Sequence, residues 1–260
     1  MATIHQQRED GVVTLLVDNG AANALTSGML RLLAETLDAL DADEAVGAVV
    51  IAGAGGRGFC AGSDIGELRA LHEWGEGPMS LLDLENAAFD RLAAMSTVTL
   101  AAVEGAATGG GMEMALACDL VVAGEKARFA LPEIKLGVYP GAGGTLRAPG
   151  RIGHGRTLEM MLLGDEIDAA KAEAWGLANR VVPEGAALAE AQKLGRRLAR
   201  GPRLAQRLVK EALRANGAMS EADVKALVRR HSAELGAGPD IAEGMRAFFA
   251  RERPAFNGKG

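Results

Sequence analysis

The sequence predicts an α/β protein, and three observations carry that reading. Short runs of Val, Ile, Leu and Ala alternate with longer stretches of helical periodicity through the first two-thirds of the chain. Helical patterns then dominate the last third. The 260 residues are 48% hydrophobic and 24% charged, the make-up of a globular protein long enough for one large domain or two small ones.

Taken in order, Val12–Asp18 reads as a buried strand ended by the turn signal Asn19-Gly20. Leu30, Leu33, Leu37 and Leu40 recur at helical spacing and predict a helix from Ser27 to Asp41. Ala48–Ala52 is a second apolar strand. Asp64-Ile65-Gly66-Glu67 has the form of a capping box, with Asp64 as the cap of a helix. The segment 74–78 is loop-like, and a helix is expected from about Ser80 to Met95. Val98–Val103 and Leu120–Ala123 predict two further strands. Beyond Gly155 the pattern predicts helices near 155–163, 168–175, 186–200, 202–214, 219–235 and 240–252, interrupted by a strand at Ala178–Val182. The expected division is a core of residues 1–200 that carries the site and a helical C-terminal region, 201–260.

Several function classes are disfavoured. A net charge of −6 argues against a dedicated nucleic-acid surface. The two cysteines form no C-x-x-C, and the four histidines are scattered without H-E-x-x-H, so neither a disulfide framework nor a metal centre is expected. There is no run of eighteen apolar residues and no long apolar core near the N-terminus. The expectation is a soluble, cytoplasmic protein whose partners are small molecules and further copies of the same chain.

Gly53-Ala54-Gly55-Gly56-Arg57-Gly58 fits G-x-G-x-x-G after a strand, but a dinucleotide fingerprint needs a helix to start within it, and Phe59-Cys60-Ala61-Gly62 continues as an extended piece. Gly141–Thr145 lacks the lysine of a phosphate-binding loop. Cys60 reads as a small buried hydrophobe, and Ser63 lacks a G-x-S-x-G context.

Two loops stand out. Ala61-Gly62-Ser63-Asp64 and Gly109-Gly110-Gly111 each end an extended segment and begin a helix, where unpaired backbone N–H groups attract anions. Two such groups converging from separate loops would form an oxyanion hole, although either loop alone is explained as a helix start with small residues. Glu113 follows in the first turn of the second helix, and Glu133 follows Pro132, which suits the first position of another helical turn. Either acid alone is explained by the helix dipole. Both, however, sit in apolar company: Glu113 in Gly-Met-Glu-Met-Ala-Leu-Ala, and Glu133 among Ala130, Leu131, Ile134 and Leu136. A buried acid must be paired or functional.

Phe59-Cys60-Ala61-Gly62-Ser63-Asp64-Ile65, Glu104–Glu113 and Phe129–Thr145 resemble, in order and spacing, the three signatures of the crotonase (enoyl-CoA hydratase/isomerase) family. Glu243–Pro254 resembles its C-terminal helix, so the resemblance covers nearly the whole chain. It implies a spiral of repeated ββα units followed by a helical region, assembly into trimers or paired trimers (hexamers), and acyl-CoA thioester ligands. By position it implies Glu113 and Glu133 as the catalytic acids and the N–H groups of Ser63 and Gly110 as oxyanion donors. Ala61, Asp64 and Ile65 would lie along the coenzyme A chain, with Ala24 near its nucleotide end and Tyr139 as a further substrate contact; Arg57, Phe248 and Arg251 would meet the coenzyme tail, the last two acting across a subunit contact. The presence of both acids implies hydration of trans-2-enoyl-CoA without a metal or redox cofactor, coenzyme A being part of the substrate. Another reaction of the family, such as double-bond isomerisation, and a non-catalytic acyl-CoA binding protein are the alternatives. Ser63 departs from the commoner Ala or Gly and puts the acyl preference in question.

Overall fold

A computed structural model describes residues 2–56, 58–73 and 79–256. Arg57 and the segment 74–78 lie outside the described residues. Strands β1 (Thr3–Glu9), β2 (Val12–Asp18), β3 (Ala48–Gly53), β4 (Val98–Val103), β6 (Leu120–Gly124) and β9 (Arg180–Val182) form one sheet in the order β1-β2-β3-β4-β6-β9. β1 pairs antiparallel with β2, and the remaining pairs are parallel. β5 (Ala106–Thr108), β7 (Arg128–Ala130) and β8 (Ile167–Asp168) form a second, three-stranded sheet.

The central strands are apolar on both faces because both faces are covered. Val13, Leu15, Val49, Ile51, Ala101 and Val103 join a core with α1 (Ser27–Asp41), α3 (Met79–Ala94) and α4 (Gly110–Ala117). Val12, Ala48, Val50, Leu100 and Val122 face the other way, against Ala187 and Ala191 of α8 (Ala187–Ala199). Gly195 lets α8 sit close: a Cβ there would stand 3.2 Å from Val12.

The predicted α1 has the observed limits, and Thr26 caps it by accepting from the Met29 N–H. Asp64 caps α2 (Ile65–Glu73) by accepting from the Glu67 N–H at 3.0 Å. The box does not close, however. Glu67 instead accepts from the Ser27 N–H at 2.9 Å, while the Asp64 N–H donates to the Leu25 carbonyl, so the motif ties two helix starts together. The G-x-G-x-x-G segment makes a short 3-10 turn at Ala54–Gly56, with no helix opening inside it. Asn23 clamps this turn by donating to the carbonyls of Ala54 and Gly58.

The chain continues through α5 (Gly144–Ile152), α6 (His154–Leu163) and α7 (Ala169–Trp175). The C-terminal region is helical, with α9 (Arg203–Asn216), α10 (Glu221–Ala237) and α11 (Pro239–Ala250). No helix among the described residues is long and apolar enough to cross a membrane.

Candidate active site

The site is assembled where the chain leaves the parallel strands. β4 ends at Val103, β5 follows, and Gly109 then turns the backbone at φ 54° into α4. Gly110 is the first residue of α4. Its N–H has no intrahelical partner and meets no acceptor among the described residues. The loop that follows β3 arrives alongside: Cys60 forms a bridge with Ala107, the Thr108 N–H donates to the Cys60 carbonyl at 3.1 Å, and Thr108 Oγ1 donates to the Ala61 carbonyl. Gly62, at φ 93°, passes so close that a Cβ would lie 3.0 Å from the Gly110 nitrogen and 3.0 Å from the Thr108 carbonyl. A side chain here would therefore be strained twice, by its dihedral and by its neighbours. Next in the chain, Ser63 bridges to Leu25, and its own N–H also finds no acceptor among the described residues. The two donors expected from the sequence are thus brought together by contacts between their loops.

The two acids are brought to the same place. Glu113 is 2% exposed on an otherwise apolar α4, and its Oε1 accepts from the Gly144 N–H at 2.8 Å, which fixes it against the start of α5. Burial pushes its pKa up to about 7, opposed by that N–H and reinforced by the charges of Glu133 and Glu85. Glu133 begins a 3-10 turn, Glu133–Leu136. Pro132 caps this turn rather than occupying its first position, because its ψ of 10° follows a φ of −89° outside the turn. The Gly109 N–H donates to the Ala130 carbonyl, which draws the Glu133 segment over the start of α4. A Cβ on Gly109 would stand 3.3 Å from Glu133 Oε1. Burial also raises the Glu133 pKa, and its Oε2 is enclosed without a partner among the described residues.

A third acid, Glu85, was not expected. It projects from α3, is 5% exposed, and its Oε1 accepts from Ser63 Oγ at 2.6 Å. A Cβ on Gly110 would lie 2.9 Å from that same oxygen. Burial raises its pKa, and its charge in turn raises those of Glu113 and Glu133. The sequence did hold a signal for it. Leu81, Glu85, Ala88 and Leu92 follow a helical stripe whose other members are all buried, so the acid stands at a core position.

The remaining candidates divide into two groups. Ala61, Asp64 and Ile65 lie on the Ser63 loop and the start of α2, and Ile65 is exposed despite being apolar. Ala24 adjoins that loop through the bond from the Ala61 N–H to the Ala22 carbonyl, and its own carbonyl accepts from Asn19 Nδ2. Tyr139 is exposed on the segment between Glu133 and α5. Phe248 and Arg251 sit at the end of α11, which packs on α10. No hydrogen bond or ion pair among the described residues ties α11 to the acid cluster. No group of three His, Cys, Asp or Glu side chains among the described residues has metal-holding geometry, the three-acid cluster included.

Two backbone donors on touching loops, with carboxyl groups close by, suit chemistry in which a carbonyl oxygen gains charge while a proton moves. Comparison with known proteins agrees. Residues 7–259 match the family described as enoyl-CoA hydratase/isomerase. The 2,3-dehydroadipyl-CoA hydratase of Escherichia coli K12 is 36% identical over 260 residues, covering all of both chains. The mitochondrial enoyl-CoA hydratase of Pongo abelii is 36% identical over 91% of this chain and 80% of its own. Among solved structures, an enoyl-CoA hydratase from Bacillus anthracis superposes with a TM-score of 0.93 at 29% identity, over 98% of this chain and 99% of that one. One from Polaromonas sp. JS666 superposes with a TM-score of 0.92 at 28% identity, over 98% and 100%. With its signatures, its fold and its full length all in agreement, the chain belongs to the enoyl-CoA hydratase/isomerase family.

Proposed function

We propose that this protein is an enoyl-CoA hydratase that adds water reversibly, and to one face, across the double bond of trans-2-enoyl-CoA thioesters. The observation that carries the reading is the pairing of buried Glu113 with half-buried Glu133, near two loops whose Ser63 and Gly110 N–H groups have no acceptor among the described residues. In this mechanism the thioester oxygen accepts from the N–H groups of Ser63 and Gly110, and the dipole of α4 adds to the field there. Removal of one such donor costs about 3 kcal/mol of transition-state stabilisation. Glu113, as base, takes a proton from water as the water oxygen bonds to C3, and Glu133 gives a proton to C2. One hydroxyl and one hydrogen are added, and the pair of acids keeps its total of protons.

Burial supports a pair of acids that shares a proton. Both acids are driven upward, so the pair holds a proton near neutral pH instead of ionising twice. An acid and a base are thereby obtained from identical side chains. The reaction in this reading takes no metal or redox cofactor, since coenzyme A arrives as part of the substrate. Ala24, Ala61, Asp64, Ile65 and Tyr139 serve in this reading as contacts for the acyl-CoA.

The same reading extends to assembly. Phe248, Phe249, Met245 and Ile241 of α11 and Leu213 and Val209 of α9 are exposed apolar side chains, which supports burial against other copies in a trimer or a pair of trimers. The helical region 201–260 would then serve oligomerisation and ligand cover, with Phe248 and Arg251 reaching a neighbour's coenzyme tail. The setting is acyl-CoA catabolism, including β-oxidation, in the cytoplasm.

The test is direct. Purified protein mixed with crotonyl-CoA should bleach the conjugated thioester absorbance and yield the 3-hydroxyacyl thioester. Conversion of a 3-enoyl thioester to its 2-enoyl isomer, with crotonyl-CoA untouched, would assign the isomerase reaction instead.

A further inference from the structure

Glu85 has no part in the hydration mechanism, yet it is buried beside both oxyanion donors. It accepts from Ser63 Oγ at 2.6 Å, and its Oε1 lies where a Cβ on Gly110 would come within 2.9 Å. It also occupies a position in the buried stripe of α3, between Leu81 and Ala88, that an apolar residue would fill without cost. No cation pairs with it among the described residues, and Ser63 is its one hydrogen-bond partner there. Among the described residues its Oε2 has no partner. A polar group so placed needs a complement, and Glu85 stands against the Ser63 and Gly110 backbone that the thioester oxygen must reach in the hydratase reading, so an acyl chain bound there passes close to it.

We propose that Glu85, held by the Ser63 hydroxyl, is a specificity-determining residue that gives this site a preference for enoyl-CoA thioesters whose acyl chain carries a hydroxyl near the thioester. The proposal rests on the hydratase reading and deepens it. A hydroxyl both donates and accepts, so it meets Glu85 whether or not the carboxyl holds its proton. A plain alkyl chain would cover Oε2 and leave it unsatisfied, and sites built to bond a polar group reject analogues that lack it. An acyl carboxylate would enter a cluster of three acids that has no cation among the described residues and be repelled. Ser63 gains a second role in this account: its N–H serves the oxyanion, while its hydroxyl orients the acid.

The experiment compares trans-2-pentenoyl-CoA with 4-hydroxy-trans-2-butenoyl-CoA, in which a hydroxyl replaces the terminal methyl, and with glutaconyl-CoA, which carries a carboxylate. Wild-type kcat/KM should be at least about ten-fold higher for the hydroxylated substrate than for the alkyl one, and lowest for the carboxylate. Glu85→Gln, which keeps a neutral hydrogen-bonding group, should retain the order; Glu85→Leu should reverse the first pair. A wild type that prefers pentenoyl-CoA or treats the pair alike overturns the proposal, as does an unchanged ratio in Glu85→Leu. Calorimetric binding of the saturated 4-hydroxybutanoyl-CoA and pentanoyl-CoA separates this claim from the hydratase claim. A binding preference for the hydroxylated thioester without turnover would overturn the hydratase reading and support the role of Glu85. Equal binding would overturn the role of Glu85 whatever the turnover.

Discussion

Acids at the two ends of β4 are treated in opposite ways. Where the chain enters the strand, Asp41 accepts from the N–H groups of Ser96 and Thr97, from the Ser96 hydroxyl and from Arg91. Although burial opposes it, these bonds hold its pKa below the usual carboxylate value. Asp119 nearby is served by Thr99 and by Lys210. Beyond the other end of the strand, Glu85, Glu113 and Glu133 crowd together without a cation among the described residues, and all three are pushed upward. The same side-chain chemistry thus locks the fold at one end and is left without ionic partners among the described residues at the other. What distinguishes them is the supply of partners, since both groups are at least partly buried.

The comparison breaks first at the site's backbone. Gly62→Ala places a methyl 3.0 Å from both the Gly110 nitrogen and the Thr108 carbonyl at a φ of 93°. It should part the two donor loops and lower kcat/KM by about 10²- to 10³-fold, as loss of an oxyanion donor does, with binding of free coenzyme A little changed. A variant with wild-type kinetics would show that the two loops need not touch.

Stability should respond with opposite signs at the two ends. Glu113 has a folded pKa of about 7 against an ordinary glutamate value of 4.5, so it favours the folded state below the lower value, and that contribution is lost as pH rises through the upper one. Glu113→Gln should therefore be more stable than wild type above pH 7 by up to about 3 kcal/mol, with the gain fading towards pH 4.5. Asp41 has the reverse linkage: its contribution is present above the ordinary aspartate value of 3.8 and is lost as pH falls through its lowered folded pKa. Asp41→Ala should cost about 2–3 kcal/mol at pH 7 while leaving kcat within about two-fold, because it removes several hydrogen bonds far from the chemistry. Urea titrations of both variants at pH 4.5, 6 and 8 would expose any failure of this contrast, such as parallel shifts in the two.

The smallest effect belongs to the link between the helix starts. Glu67→Ala removes the acceptor of the Ser27 N–H and should cost about 1 kcal/mol, read as a modest drop in Tm without loss of turnover.

Much of this arrangement was legible beforehand, and the exceptions have physical causes. The central strands and α1 were readable because burial on both faces makes continuous apolar runs and α1 keeps a clean stripe of leucines. Glu113 and Glu133 were readable because each breaks an apolar run beside a turn. β1 was not, since Thr3–Glu9 is polar and is held by pairing with β2 at the sheet edge. The short strands of the second sheet were equally hidden, because two or three residues carry no period. Glu85 was missed because a lone acid on a helix reads as solvated until the opposing loop is known. The capping box misled for the same reason: Glu67 reaches Ser27, forty residues away, rather than its own cap.

The central claim is that Glu113 and Glu133 divide one acid–base reaction between them, and the most direct measurement is the crotonyl-CoA hydration rate of Glu113→Gln and Glu133→Gln beside wild type. Each substitution keeps size and burial while removing proton transfer. Each should lower kcat by about 10²-fold or more while leaving substrate affinity within a few-fold. Turnover that survives in both variants would contradict the account, whatever their structures look like.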